Sequence, residues 1–247
     1  MPVLGIIPAR FASTRFPGKP LVKIQGVSMI EPVYKQSLKA KSLKNVIVAT
    51  DDIRIADHVK SFGGEVLMTS PEHLSGTDRC AEVVSKQTTE FEVVINIQGD
   101  EPFIQPEQID LIVSCFDDNK VQIATLIKKI ISVDELKNAN TPKVVIAKNG
   151  DALYFSRQAI PFKKDTPLNE WLQNGTYYKH IGIYGYKAGV LAKLIELPQG
   201  KLEQLESLEQ LRWLENGFNI RTNLTDLETI AIDTPEDLEK AKKYFFK

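Results

Sequence analysis

Four short runs rich in β-branched residues recur along the first hundred positions: "VLGIIPA" from Val3, "NVIVAT" from Asn45, "GEVLMT" from Gly64 and "EVVINI" from Glu92. Between them lie stretches with helical spacing of apolar residues, expected to form helices over roughly 28–39, 53–62 and 77–86. Thr50-Asp51-Asp52 offers an N-cap for the second, and Gly63-Gly64 ends it. Strand and helix in regular alternation specify βαβ units on a largely parallel sheet, because each crossover must cover one sheet face. At 247 residues and 43% hydrophobic, the chain can bury a full α/β core.

The alternation weakens after Pro106. A helix is expected over 107–116, followed by the strand-like "VQIATLIKKI" and then "KVVIAKNGDALYFSR", where Asn149-Gly150 between two strand patterns signals a hairpin. The stretch 161–178 is polar and interrupted by prolines, which suits an inserted lobe or an interface arm better than a central sheet. Then come a strand at "HIGIYGY", helices over 188–196 and 204–216, and a last strand at "NIRTNL". In "AIDTPEDLEKAKKYFFK", Thr234-Pro235-Glu236-Asp237 supplies a cap, a proline and an acidic first turn for a terminal helix. No internal repeats are present.

Charge narrows the function classes. The 31 basic and 32 acidic side chains nearly cancel, so no global field attracts nucleic acid or an anionic membrane, and a bound anion must be held locally. Neither a nucleic-acid partner nor a membrane is expected. Cys80 and Cys115 form no CxxC pair and no dense disulfide pattern, and no signal segment or long apolar run is seen; a cytoplasmic location is the expectation.

The candidate chemistry begins with "IIPARFASTRFPGKP", from Ile6. Helical geometry would scatter Arg10, Arg15 and Lys19 around an axis, and Pro17 would break the ladder, so the three cations converge from a loop if they converge at all. That loop leaves the carboxyl end of the first strand, where open α/β sheets place their ligand crevice. Ser13 and Thr14 add hydroxyls and backbone donors of the kind a triphosphate cradle uses. The sequence has no GxGxxG or Walker pattern, so this is a phosphate loop of another kind. A solvated basic loop is the competing reading.

In "NIQGDEP", Gly99 and Pro102 bracket Asp100 and Glu101 at the end of another strand-like run. Opposite a cationic loop, such a carboxylate reads as a Mg²⁺ ligand, since Mg²⁺ takes one or two carboxylates together with phosphates and water. Asp233 in "AIDTPED" is the second candidate, against the simpler reading that it belongs to a helix N-terminus. "HLSGTDRCAEV" opens a helix with Ser75-Gly76-Thr77, whose free amides could meet a base or a phosphate, with Arg79 as a further donor. Thr77 capping its own helix is the ordinary alternative.

Taken in order, "IPARFASTRFPGKPL", "VATDD", "SGTDRCAEV", "NIQGDEP", "ALYFSRQAIP", "KHIGIYGY", "LEQLRWLENG" and "DTPEDLEKAK" resemble the 3-deoxy-manno-octulosonate cytidylyltransferases, the CMP-Kdo synthetases, nearly end to end. Phe11 and Phe16 stand where that family often has tyrosine and leucine, and neither replaces a charged group. The resemblance implies a three-layer nucleotide-diphospho-sugar transferase-like α/β fold with a mostly parallel mixed sheet. It also implies one domain over 1–247, carrying a small dimerisation lobe at roughly 155–205, and a homodimer. The implied reaction is CTP plus 3-deoxy-D-manno-octulosonate (Kdo) to CMP-Kdo and pyrophosphate, which activates the sugar for lipopolysaccharide biosynthesis.

By matching motif positions, the resemblance implies a catalytic group of Lys19, Asp100, Arg10 and Arg15, with Asp100 and Asp233 holding Mg²⁺. It implies nucleotide contacts from Arg10, Ser13, Arg15, Lys19, Ser75, Gly76, Arg79 and Gln98. Sugar contacts would come from Gln98, Arg157, His180, Tyr184, Glu209 and Gln210. Read as residues alone, Arg157 could clamp a carboxylate bidentately or be a surface arginine. His180 and Tyr184 share a strand face whether they are core or ligand, and Glu209 and Gln210 sit on an amphipathic helix. No general base is evident, so metal activation of the sugar hydroxyl is the expected mechanism. Activity on a related acidic sugar, such as 8-amino-Kdo or a sialic acid, is an alternative, and a nucleotide-binding module without turnover is another. A glycosyltransferase fits poorly, because "QGDEP" lacks two spaced aspartates.

Overall fold

The computed structural model describes residues 1–12, 16–228, 231–232 and 234–242, the side chains of 240 and 242 excepted. Its contacts divide the chain into two compact units: Met1–Val113 with the described residues from Glu228 onward, and Ser114–Leu227.

In the first unit, β1 (Val3–Ala9) is followed by a two-residue ribbon, β2 (Lys23–Ile24) with β3 (Val27–Ser28), and by α1 (Ile30–Ser37). Then come β4 (Asn45–Thr50), α2 (Ile53–Ser61), β5 (Val66–Met68), α3 (Gly76–Ser85), β6 (Val93–Asn96) and α4 (Pro106–Ser114). The strands pair in the order β6, β1, β4, β5, all parallel, with Ile6 of β1 opposite Ile47 on one side and Asn96 on the other. A parallel strand covered on both faces is apolar along its whole length rather than alternating. Accordingly Leu4, Ile6 and Ile7 are all sealed from solvent, each burial stabilising by about 1.5–3 kcal/mol.

The helix starts follow local chemistry. Asp52 caps α2, accepting from the Arg54 amide at 2.9 Å. At α3 the cap is Ser75 and not Thr77: Ser75 Oγ accepts from the Asp78 amide (3.1 Å) while Asp78 Oδ2 accepts from the Ser75 amide (2.9 Å), a reciprocal capping box. Thr77 is buried in the first turn of the helix.

The second unit holds β7 (Ile123–Lys129), α5 (Val133–Lys137), β8 (Lys143–Ile146), β9 (Ala152–Ser156), β10 (Tyr178–Lys187), α6 (Ala188–Leu194), α7 (Lys201–Glu206), α8 (Gln210–Glu215) and β11 (Ile220–Leu224). β11 runs parallel to β7; the pairs β7 with β10, β10 with β8, and β8 with β9 are antiparallel. The hairpin expected at Asn149-Gly150 is the β8–β9 connection. The stretch 161–178 contributes a 3₁₀ turn over Leu168–Gln173, whose Trp171 is buried in a cluster with Ile130, Leu136 and Tyr177.

One expected helix is broken. In place of a continuous 204–216 element, α7 ends at Glu206, Ser207 adopts φ +51°, and α8 begins at Gln210. The cause is tertiary. The Glu206 carboxylate accepts from Ser156 Oγ (2.7 Å) and the Arg157 amide (2.9 Å), and the Arg157 guanidinium donates to the carbonyls of Glu206 (2.6 Å) and Ser207 (3.1 Å). These bonds hold a left-handed serine that helix propensity alone would not select.

The chain then returns to the first unit as α9 (Pro235–Lys242), capped by Thr234, whose Oγ1 accepts from the Asp237 amide at 3.2 Å. Leu238 and Ala241 of α9 pack with Ile232, Ile24 and Met29, and with the half-buried Phe16 and Phe103. Among the described residues, no helix is long and apolar enough to cross a membrane.

A buried lysine organises the second unit. Lys143 of β8 is inaccessible to solvent, and its Nζ donates to the carbonyls of Asn138 (2.8 Å), Thr141 (2.7 Å) and Arg157 (2.5 Å). Lys143→Ala strands three acceptors, so urea unfolding should show a loss of about 3 kcal/mol or more; a loss below about 1 kcal/mol would contradict this assignment.

Candidate active site

A cleft of about 240 Å³ opens in the first unit at the carboxyl ends of β1 and β6, beside the N-terminus of α3. Arg10, Lys19, His73, Ser75, Gln98 and Asp100 are on its wall. This is the edge to which an open parallel sheet delivers its loops. The turn after β6 lies hard against β1: a Cβ on Gly99 would come within 2.7 Å of the Pro8 carbonyl oxygen, so only glycine permits this approach.

That approach sets Asp100 against the cationic loop. Lys19 Nζ donates to Asp100 Oδ2 at 2.5 Å, with side-chain exposures of 13% and 23%. Partial burial makes the pair electrostatically stronger than one on the open surface, and also exchangeable, because both ends face the cleft. The Asp100 carbonyl accepts from the Ile232 amide at 2.9 Å, which ties the segment before α9 to the same turn. Glu101 is buried and does not line the cleft. Ser13, Arg15 and Asp233 lie outside the described residues.

Of the other candidates in this unit, Gln98, Gly76 and Ser75 line the cleft, with the Ser75 hydroxyl serving the α3 cap. Arg79 also reaches the wall, but it is only 3% exposed. Its guanidinium donates to Thr69 Oγ1 (2.7 Å), the Ser70 carbonyl (3.1 Å) and Asp51 Oδ2 (2.7 Å). It therefore braces the loop before α3 against the end of β4.

His73 was not singled out by the sequence reading. Its Nε2 sits 2.5 Å from Glu82 Oε2, and Glu82 also accepts from the Ser70 amide (2.8 Å) and Lys86 Nζ (2.5 Å). Burial works against the charge on Glu82, but the hydrogen bonds from Lys86, Ser70 and His73 prevail and hold its carboxyl down to about 2. The only sequence signal for His73 is its place two residues before the capping serine.

The remaining candidates belong to the second unit. Arg157 spends all three guanidinium nitrogens on carbonyls, those of Glu206, Ser207 and Ala139. His180 of β10 keeps some accessible surface, yet its ring packs edge-on against Phe155 (5.2 Å) and tilted on Tyr184 (5.1 Å). The single proton of Thr125 Oγ1 is directed at the Ile183 carbonyl (2.7 Å), so Oγ1 accepts from His180 Nε2 at 2.9 Å. Enclosure pushes the His180 imidazole down to about 3, and desolvation raises the Tyr184 phenol far above its ordinary range. Glu209 stands at the N-cap of α8. The Tyr184 hydroxyl, Gln210 Nε2 and Trp213 Nε1 are buried and lack hydrogen-bond partners within the described residues. A folded protein rarely leaves such groups unmatched. Trp213 is the member of this cluster that the sequence reading did not single out.

Residues 4–230 match the family model described as "Cytidylyltransferase". A 3-deoxy-manno-octulosonate cytidylyltransferase of Parabacteroides distasonis is 56% identical, the match covering 98% of this chain and 97% of that protein. One from Bacteroides thetaiotaomicron is 54% identical over 99% and 98%. The solved structure of a CMP:2-keto-3-deoxy-manno-octonic acid synthetase complexed with CTP superposes with a TM-score of 0.92 at 42% identity, covering 100% of this chain and 99% of that one.

His180 makes stability depend on pH. Its folded-state value near 3 lies below the ordinary 6.5, so the unfolded chain binds a proton that the native one refuses. The contribution is intact above pH 6.5 and declines as pH falls toward 3, by at most about 1.4 kcal/mol per pH unit. Glu82, whose ordinary value is 4.5, enters only below that. The urea midpoint should fall between about pH 6.5 and 4.5, and His180→Gln should flatten that slope; an unchanged slope in the variant would contradict a buried neutral imidazole.

Proposed function

The chain belongs to the cytidylyltransferases, in the group that acts on 3-deoxy-manno-octulosonate, and we infer that it transfers CMP from CTP to that sugar acid with release of pyrophosphate. The observation that carries this reading is the Lys19–Asp100 pair at 2.5 Å on the wall of a cleft that also holds Arg10. A cation and a carboxylate within reach of one another suit a ligand that brings its own anion and its own metal.

In the reaction the anomeric hydroxyl oxygen bonds to the α-phosphorus while the bond from that phosphorus to the bridging oxygen breaks. Pyrophosphate carries away the electron pair, and the hydroxyl proton is released. Lys19 and Arg10, both at the cleft, serve as fixed positive charge for the triphosphate and for the charge that gathers on the leaving group. We propose that Lys19 turns from Asp100 to phosphate when the nucleotide binds. Asp100 is then free as a hard oxygen donor. That donor fits Mg²⁺, which needs one or two carboxylates and completes its shell with phosphate and water. We propose Asp100, with Asp233, as the residues that would hold it. When bound, the metal supplies charge neutralisation and a more acidic sugar hydroxyl. On this reading the displacement needs no general base from the chain, and the hydroxyl proton passes to solvent.

For the sugar we propose the second unit's cluster around Tyr184 and Gln210, since its buried donors, unmatched within the described residues, match a polyhydroxylated acid. The homodimer, the cytoplasmic location and the supply of activated sugar for lipopolysaccharide are further parts of this proposal, supported by the family alone.

With CTP, Kdo and Mg²⁺, the wild type should release pyrophosphate, and EDTA should stop it until Mg²⁺ is restored. Asp100→Ala should cut turnover by about 100-fold or more with circular dichroism unchanged. A near-normal rate in that variant would refute the metal assignment, and no release from the wild type would refute the activity.

A further inference from the structure

The neck of the cationic loop is held by a stack that nothing above explains. The two ends of the loop between Arg10 and Lys19 meet where the Gly18 amide donates to the Phe11 carbonyl at 2.9 Å. Gly18 has φ +70°, and a Cβ there would meet the edge of the Phe11 ring at 3.0 and 3.1 Å. The ring therefore packs directly against Gly18, the residue before Lys19. Over this ring, 3.4 Å from its centroid, sits the guanidinium carbon of Arg54.

Arg54 comes from α2 and has 57% of its side chain exposed, so solvent would ordinarily let it move freely. It is instead fixed by a two-point contact, Nε to Asp52 Oδ1 at 2.9 Å and Nη2 to Asp52 Oδ2 at 2.6 Å. Asp52 is immobile in turn, because the same Oδ1 caps α2. Hydrogen bonds from Arg54 hold the Asp52 carboxyl below its ordinary value. The helix N-terminus thus grips an arginine, the arginine covers an aromatic ring, and the ring braces the glycine next to Lys19.

We propose that Arg54 and Phe11 form a latch on this loop, and that Arg54 is a positioning residue for the nucleotide's phosphates, acting through Phe11. The latch fixes how far apart Arg10 and Lys19 are presented to the cleft. This rests on the reading of that loop as the triphosphate site. A guanidinium over an aromatic face gains attraction from the ring's quadrupole, at an exposed site of a size that alters an equilibrium about two- to fivefold. Pre-ordering a loop by that amount lowers the entropy lost when the ligand is bound. An arginine placed only for solubility would need neither the ring nor the carboxylate fork.

The test compares Arg54→Ala, Phe11→Leu, the double variant, Phe11→Tyr and Lys19→Met by calorimetric titration with CTP, by steady-state kinetics and by thermal melting. Arg54→Ala and Phe11→Leu should each weaken CTP about two- to fivefold and raise its KM equally, with kcat at saturating CTP within about twofold. The double variant should be no worse than either single one, because both break one contact. Phe11→Tyr keeps the ring and should behave as wild type. Arg54 is exposed, so its variant should melt within about 2 °C of the wild type and stays informative even if Phe11→Leu unfolds. Unchanged CTP affinity in Arg54→Ala overturns the latch. So does weakened binding in Arg54→Ala beside normal binding in a folded Phe11→Leu, since that marks Arg54 as a direct phosphate contact. Lys19→Met separates the two levels. If it weakens CTP while the other variants do not, only the latch fails; if it leaves CTP affinity unchanged, the phosphate-loop reading fails with it.

Discussion

The contact between Lys19 and Asp100 joins two loops 81 positions apart in sequence, and most of what the first unit does locally serves to make it possible. β1 and β6 must lie side by side so that their carboxyl ends open at one edge. Gly99 must be a glycine so that the turn after β6 can rest on the Pro8 carbonyl. The segment before α9 must return to that turn, which it does through the Ile232 amide. Remove any of these and a lysine and an aspartate remain, but as two solvated charges worth little to each other.

Much of this was legible in the sequence because it is local or periodic. The four parallel strands of the first unit, β1, β4, β5 and β6, announce themselves by composition, and their parallel order follows from the helices between them. The Asn149-Gly150 turn and the Thr234 cap are short-range chemistry that a sequence displays openly. The basic loop after β1 could be found for the same reason, since prolines and a glycine rule out a helix. The residue blocks shared with the family added the nucleotide and the sugar.

What could not be read depends on partners far away in the chain. Glu206 ends α7 because Ser156 and Arg157, some fifty positions earlier, claim its carboxylate and nearby carbonyls; the amphipathic pattern runs straight through that point. Arg79 has the look of a surface donor beside a helix N-terminus, and only the fold reveals that Asp51, Thr69 and Ser70 converge on it. Ser75 takes the capping role expected of Thr77 because its partner Asp78 lies three residues on, a capping-box spacing visible in the sequence itself. Lys143 is the clearest case: a lone lysine in a strand pattern gives no hint that three carbonyls await it.

The account stands on the exchange of partners at Lys19 and Asp100. A crystal structure of this protein with CTP and Mg²⁺ tests it most directly. The account predicts that Lys19 Nζ moves from Asp100 to a phosphate oxygen, leaving the Asp100 carboxylate to the metal. CTP bound with its phosphates away from Lys19 and Arg10, and the 2.5 Å pair intact, would contradict it.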